Sequence, residues 1–309
     1  MTVRPVILAL VGPTASGKSA LAMRIAEQIG GEIISADSRQ VFRYLDIGTA
    51  KPSAADRQRI PHHFVDILDP SQEYSAGQFG IDARALLSKA VPERRRLIVA
   101  GGSGLYVKAI IDGLFDGPVR DPAIRHRLQE ELHTRGPQTL FGRLQSLDPA
   151  AAATMDATKT RRVIRALEVI EVTGRPLSAQ HADQSSALPF EIEQWALAWD
   201  RRELYRRIEE RVDAMLKTGL VDEVRRLQQM GYDPALNALN TVGYKEAFQY
   251  LSGRISSEEM VSLIKQQTRR FAKRQLTWFR ADRRIHWEPI GHDDDLARIA
   301  EKILRRYAE

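Results

Sequence analysis

The stretch LALVGPTASGKSAL, residues 8–21, constrains the fold of this chain more than any other. It carries the G-x-x-x-x-G-K-[ST] spacing of a phosphate-binding loop, with Gly12, Gly17, Lys18 and Ser19 at the fixed positions. The apolar run Val6–Val11 before it reads as a buried strand, and Ser19–Ile29 after it reads as a helix with apolar residues at helical spacing. Strand, glycine turn and helix together aim backbone N–H groups and a helix N-terminus at one anion. The motif leaves open whose phosphates are held: those of ATP, of GTP or of another phosphorylated compound.

Around this unit the first third of the chain alternates strands and helices. EIISAD reads as a second strand, HHFVDIL as a candidate third, Gln78–Ala90 as a helix and RRLIVAGGSGLY as a further buried strand ending in a glycine turn. This alternation predicts an α/β fold, a phosphate-loop parallel sheet with helices on both faces. Ligands in such sheets sit at the carboxyl ends of the strands, where GPTASGKS, DSRQVFR and GGSGLY emerge. From Pro122 to about Thr173 the pattern is wholly helical. FEIEQWALAW then returns as a sheet strand, followed by the helix RRELYRRIEERVDAML. The expected organisation is an α/β core over 1–113 and 188–309, with an all-helical insertion over 114–187 hinged near Gly113–Pro118 and Ala182–Pro189.

Composition narrows the function classes. No apolar run approaches the ~20 residues of a membrane helix, and PVILALV runs straight into the phosphate loop, so it reads as a strand rather than a signal peptide. The absence of cysteine excludes disulfides and thiolate metal sites and accords with a reducing cytoplasm. A net charge of +6 points to a polyanionic partner. KQQTRRFAKRQLTWFR, Lys265–Arg280, fits a helix on which Arg269 with Lys273 and Arg270 with Arg274 form adjacent i,i+4 pairs, interleaved with Phe271, Trp278 and Phe279. Such a face suits an RNA backbone with aromatics that stack on bases, although the same aromatics read equally well as core. KTRRVIRALEV, Lys159–Val169, adds a second basic helix within the insertion; two such surfaces would grip an RNA stem.

The acids are equally informative. An ATPase or GTPase holds its metal ion with an acid at the end of a second strand, yet LIVA ends in Gly101, Gly102 and Ser103. Asp66 in FVDIL reads as structural rather than as a substitute, and no Asn-Lys-x-Asp base-reading motif is present. Asp37, in SADSRQ, is either the anchor of an Asx-turn or a carboxylate facing the reacting centre. HDDDLARIAEKIL reads as a capped helix start rather than a metal-binding aspartate cluster. His62 and His63 lack partners at metal-ligand spacing.

Taken in order, GPTASGKS, SADSRQVFRYLDIGTAKP, PHHFVDILDP, YSAGQF, GGSGLY, RALEV, NTVGYKE and RRFAKRQLTWFR resemble the bacterial tRNA dimethylallyltransferases, from the first strand to about Trp287. The resemblance implies transfer of a dimethylallyl group from dimethylallyl diphosphate to the N6 amine of the adenosine immediately 3′ of the anticodon in tRNA. It implies that Gly12, Pro13, Thr14, Ala15, Ser16, Gly17, Lys18 and Ser19 hold the diphosphate, with Lys18 steadying the leaving group and Ser19 ligating Mg²⁺. Asp37 matches the family's general base, Arg211 an arginine that stabilises the transition state, and Ser103 a position usually held by Thr. The positions matching tRNA contacts are Asp37, Ser38, Arg39, Gln40 and Ser103; Arg125, Arg161, Arg162 and Arg165 in the insertion; Asn240, Gly243, Tyr244 and Lys245; and Arg269, Arg270, Lys273 and Arg274. The target base would leave its anticodon stem-loop to reach a buried diphosphate. Phe42 stands where many members have Tyr, and the Cys/His zinc finger of longer eukaryotic members has no counterpart here. A cytoplasmic monomer is expected. The alternative is a small-molecule kinase, which would consume ATP and would not need the basic helix. A non-catalytic RNA-binding switch ordered by nucleotide is the third reading.

Overall fold

The computed structural model describes residues 5–114, 121–183 and 190–308. The chain opens with β1 (Val6–Val11), α1 (Lys18–Ile29), β2 (Glu32–Ser35), α2 (Ala54–Arg59), β3 (His62–His63), α3 (Ala76–Ala90), β4 (Leu97–Gly101) and α4 (Gly104–Ile111). A run of helices follows: α5 (Pro122–Arg135), α6 (Pro137–Leu147), α7 (Pro149–Ala152), α8 (Thr160–Thr173) and α9 (Leu177–Asp183). The chain then returns through β5 (Glu191–Ala198), α10 (Arg201–Thr218), α11 (Leu220–Gln229), α12 (Tyr244–Leu251), α13 (Ser257–Arg280), β6 (Ile285–Pro289) and α14 (Asp295–Ala308).

Among the described residues the strands form one parallel sheet in the order β3-β2-β4-β1-β5-β6. Strands β1 and β4 are buried almost throughout, as a parallel sheet covered on both faces requires. Leu21, Ala22, Ile25 and Ala26 form the buried stripe of α1, and Ile299, Ala300 and Ile303 that of α14. Both stripes join Leu8, Leu10, Ile98 and Trp195 in one core cluster. Two features depart from the pattern read in the sequence. HHFVDIL contributes only His62 and His63, paired to Ile33 and Ile34, because Phe64 and Asp66 take φ of 63° and 57° and break the ladder. IHWEP, not anticipated as a strand, adds β6 beside β5 with Trp195 opposite His286.

The chain divides into two compact units, one of Met1–Tyr74, Asp82–Val107 and Leu188–Glu309, the other of Ser75–Ile81 and Lys108–Ala187. The second unit thus takes in 75–81 and 108–113, which the sequence pattern had assigned to the core. Its helices are separate pieces: α5, α6 and α7 each begin with Pro at the first turn, after Asp121, Gly136 and Asp148. Leu128, Leu140, Leu144, Val163, Ile164 and Leu167 fill its interior. Of the expected hinges, the parts within 115–118 and 184–189 lie outside the described residues.

Candidate active site

The phosphate loop leaves β1 at Val11 and closes on Lys18, the first residue of α1. Gly12 and Gly17 take φ of 133° and 90°, and Ala15 takes 63°, so the turn is held in a conformation that a free chain would avoid. Its support comes from afar. Trp199 Nε1 donates to Ser16 O (2.7 Å), and Arg207, stacked on the Trp199 ring, donates through Nε to Ala15 O (3.0 Å) and pairs with Asp293 (2.7 Å). On the other side the Thr14 N–H donates to Gln275 Oε1 (2.9 Å), and Gln275 Nε2 donates to Gly102 O (2.8 Å). The Lys18 ammonium donates to Pro13 O within the same loop (3.0 Å). Ser16 is fully buried, and its hydroxyl has no hydrogen-bond partner among the described residues.

GPTASGKS, DSRQVFR and GGSGLY all open into one cavity of about 750 Å³, within the range of small-molecule sites. Thr14, Lys18, Ser19, Asp37, Ser103 and Arg211 line it. Asp37 Oδ1 accepts the Arg39 N–H (2.8 Å), which is the Asx-turn read in the sequence, and its carboxylate lines the cavity within electrostatic reach of Lys18, Arg39 and Arg211. Burial and the neighbouring Arg211 push the Lys18 ammonium down to about 8, against the pull of Asp37. Burial also lowers Arg211 and Arg39, again opposed by Asp37. Tyr106, buried nearby, is held well above its ordinary value by desolvation, although Arg39 opposes this. Three cations facing one carboxylate leave excess positive charge in a desolvated cavity, the electrostatics of an anion site. Val212, Met215, Leu220 and Ile264 form an apolar wall of the same cavity, while Phe271 and Trp278 are the exposed aromatics lining it.

Ser38, Arg39, Gln40, Asn240, Gly243, Lys245 and Arg274 line the cavity together with Asp37 and Ser103. Arg161, Arg162, Arg270 and Lys273 are exposed. Several other expected RNA contacts are already committed. Tyr244 is fully buried and donates its hydroxyl to Glu223 (2.6 Å), so it belongs to the framework rather than to a surface. Gln40 donates to Thr49 O and Ala50 O (3.2 and 3.1 Å) and accepts from Ser35 Oγ (2.8 Å). Arg269 pairs with Glu209, and Arg125 and Arg165 both pair with the buried Glu168 (2.7 and 3.3 Å). Of the interleaved aromatics, Phe279 is core, whereas Phe271 and Trp278 are exposed.

The remaining acids and histidines have structural partners. Asp66 pairs with Lys51 (2.5 Å) and Arg57 (2.6 Å), and Asp295, the first residue of α14, accepts from Gly291 N and His292 N in the turn that leads into the helix. His62 Nδ1 lies against Ile60 O and His63 Nε2 against Glu32. Among the described residues no group of three or more His, Cys, Asp or Glu could hold a metal ion. A divalent ion here would need hard oxygen donors of another kind, and the exposed Ser19, on the first turn of α1, is such a donor in the same cavity.

Two residues that carry this architecture were missed in the sequence. Gln275 bridges two of the cavity's loops. Glu223 accepts from the amides of Asp46, Ile47 and Gly48 (3.0, 2.8 and 3.2 Å) as well as from Tyr244, clasping the DIGTAKP turn. Each is a polar residue inside an otherwise apolar buried stripe, Leu220-Glu223-Val224-Leu227 and Ala272-Gln275-Phe279. That placement was the available signal.

A profile of the IPP transferase family matches residues 40–282 of this chain. The chain belongs to the IPP transferase family. It is 45% identical to a tRNA dimethylallyltransferase of Pelotomaculum thermopropionicum, over 97% of this chain and 95% of that protein. Among solved structures it is similar to the full-length tRNA isopentenylpyrophosphate transferase of Bacillus halodurans, at 37% identity and a TM-score of 0.71, covering 99% of this chain and 97% of that one. It is also similar to a eukaryotic dimethylallyltransferase acting on tRNA, at 26% identity and a TM-score of 0.77, covering 92% of this chain and 74% of that one. This member of the family thus shares the phosphate-loop fold of its relatives along nearly its whole length. No described helix is long and apolar enough to cross a membrane.

Proposed function

We propose that this chain transfers the dimethylallyl group of dimethylallyl diphosphate to the N6 amine of the adenosine immediately 3′ of the anticodon in tRNA, releasing diphosphate. The observation that carries this reading is the cavity itself. A phosphate loop, an apolar wall and a carboxylate share one chamber, at whose edge α13 places Arg274 beside exposed Phe271 and Trp278. The loop amides with Lys18 and Arg211 neutralise the diphosphate as the C–O bond breaks. The N6 lone pair forms the new C–N bond, and Asp37 takes the proton that N6 loses. Ser103, whose N–H donates to Ala36 O, lines the same cavity, and its hydroxyl would contact the diphosphate or the reacting nucleotide. Ser19 would hold Mg²⁺, which supplies further charge neutralisation to the leaving diphosphate.

Arg270, Lys273 and Arg274 on the core and Arg161 and Arg162 on the helical unit are the cations we assign to the anticodon stem-loop. The protein acts as a cytoplasmic monomer in this reading. A kinase is disfavoured because Asp66, the acid nearest in sequence to a metal-holding role, is spent on Lys51 and Arg57. The test is mass spectrometry of digested tRNA after incubation with dimethylallyl diphosphate and Mg²⁺, with ATP in a parallel tube. One dimethylallyl group on the target adenosine without ATP is expected. ATP consumption without modified tRNA would return the loop to a nucleotide.

A further inference from the structure

The inward face of α13 buries Met260, Ile264, Ala272, Gln275 and Phe279, and Gln275 is its polar member. Both ends of its carboxamide are spent on backbone: Oε1 accepts the Thr14 N–H at 2.9 Å and Nε2 donates to Gly102 O at 2.8 Å. These partners lie 261 and 173 residues away along the chain, one in the phosphate loop and one in the turn after β4. The fit leaves no slack. A Cβ at Gly102 would lie 2.5 Å from Gln275 Nε2, and a Cβ at Gly104 would lie 2.2 Å from the Trp278 indole, which follows on the same helix. The outer face of this helix carries Arg270, Lys273 and Arg274, all exposed.

We propose that Gln275 is a positioning residue that keeps the Thr14 segment of the phosphate loop and the Gly102–Ser103 turn in register with α13. The prenyl donor and the RNA-facing helix would then share one rigid frame. The inference rests on the prenyl-transfer reading of the cavity. Backbone donors stabilise developing charge only when they are held in place, and a small displacement of the loop weakens transfer without touching RNA phosphates. The bond to Gly102 O is buried and that from the Thr14 N–H is partly buried, so removing both leaves an unpaired amide and an unpaired carbonyl beside the donor.

Two substitutions test it, each measured by steady-state transfer from dimethylallyl diphosphate and by tRNA binding. Gln275→Leu keeps the bulk and removes both hydrogen bonds. The expected result is a fall in kcat/KM for dimethylallyl diphosphate of at least about tenfold, with the Kd for tRNA within about twofold of wild type. Gln275→Glu keeps an acceptor for the Thr14 N–H but loses the donor to Gly102 until its carboxyl is protonated. Its activity relative to wild type should therefore rise as pH falls, while the ratio for Gln275→Leu stays flat. Unchanged kcat/KM in Gln275→Leu, an equal loss of tRNA affinity, or a flat ratio for Gln275→Glu would each overturn the positioning role. A wild-type protein that transfers no prenyl group at all would overturn the functional reading, and this inference with it. Active wild type with variants that match it would remove the positioning role alone.

Discussion

Two groups of buried charge in the α/β unit look alike in composition and differ in how their charges are met. Around the DIGTAKP turn every charge is consumed: Glu223 takes three backbone amides and the Tyr244 hydroxyl, and Lys51 reaches Asp46, Asp66 and Phe42 O. On the cavity floor Lys18, Arg211 and Arg39 face one carboxylate, that of Asp37. The first group holds a loop. The second is short of negative charge, the deficit that the diphosphate of the proposed reaction would fill. The same distinction sorts the cations expected to meet RNA, of which Arg125, Arg165 and Arg269 are neutralised within the protein and Arg270 and Lys273 stand exposed. Charge already spent builds the fold, and charge left over marks the surface or site that meets a ligand.

This contrast can be broken first at Lys18. Lys18→Ala should lower kcat/KM for prenyl transfer by at least about a hundredfold, because it removes the desolvated cation that would stabilise the leaving group in the proposed reaction. Urea unfolding should show no loss of stability, since the ammonium is destabilised where it sits. A variant that unfolds easily but retains activity would reverse the assignment.

Glu223→Ala should show the opposite pattern. Three amides and a buried hydroxyl lose their acceptor, a cost of about 3 kcal/mol in urea unfolding. Unaltered stability would mean that the clasp is ornamental.

A smaller effect is expected on the basic helix. Replacing Arg270, Lys273 and Arg274 together by Ala should weaken tRNA binding about tenfold or more and reduce its salt slope by about 2, whereas Arg269→Ala, already paired with Glu209, should barely move the slope. Equal slopes for the two variants would place the RNA surface elsewhere.

The smallest effect is in pH. With Lys18 held at about 8, the free protein loses this positive charge as pH rises through that value, so diphosphate affinity should fall above about pH 8. Stability moves the other way. The unfolded chain, with an ordinary lysine value of ~10.4, binds more protons than the folded chain between the two values, so this group's contribution to stability rises with pH there. Affinity for inorganic diphosphate that is flat from pH 7 to 9.5 would remove Lys18 from the cradle.

Much of this was legible in the chain. The phosphate loop follows from Gly12, Gly17, Lys18 and Ser19 in a strand-loop-helix setting, and the parallel sheet follows from the alternation after it. Gln275 and Glu223 were not legible as clasps, because their partners lie far away in sequence and hydrogen bonding carries no local period. Burial on α13 was partly legible. Phe279 falls on the stripe of Ala272 and Gln275, one helical face, whereas Phe271 and Trp278 fall off it. β3 ended early for a reason in its backbone, the positive φ at Phe64 and Asp66, which neither residue type announces. β6 is too short and too polar at His286 and Glu288 to stand out before β5 is there to pair with it.

The most direct measurement is single-turnover prenyl transfer by Asp37→Asn, with tRNA and dimethylallyl diphosphate affinities measured in parallel. Asparagine can still accept the Arg39 N–H and keep the Asx-turn, but it cannot take a proton from N6. The expected result is a transfer rate lower by about a hundredfold or more, with both affinities within a few-fold of wild type. Transfer at the wild-type rate would leave Asp37 as a turn residue only and contradict the account of the cavity.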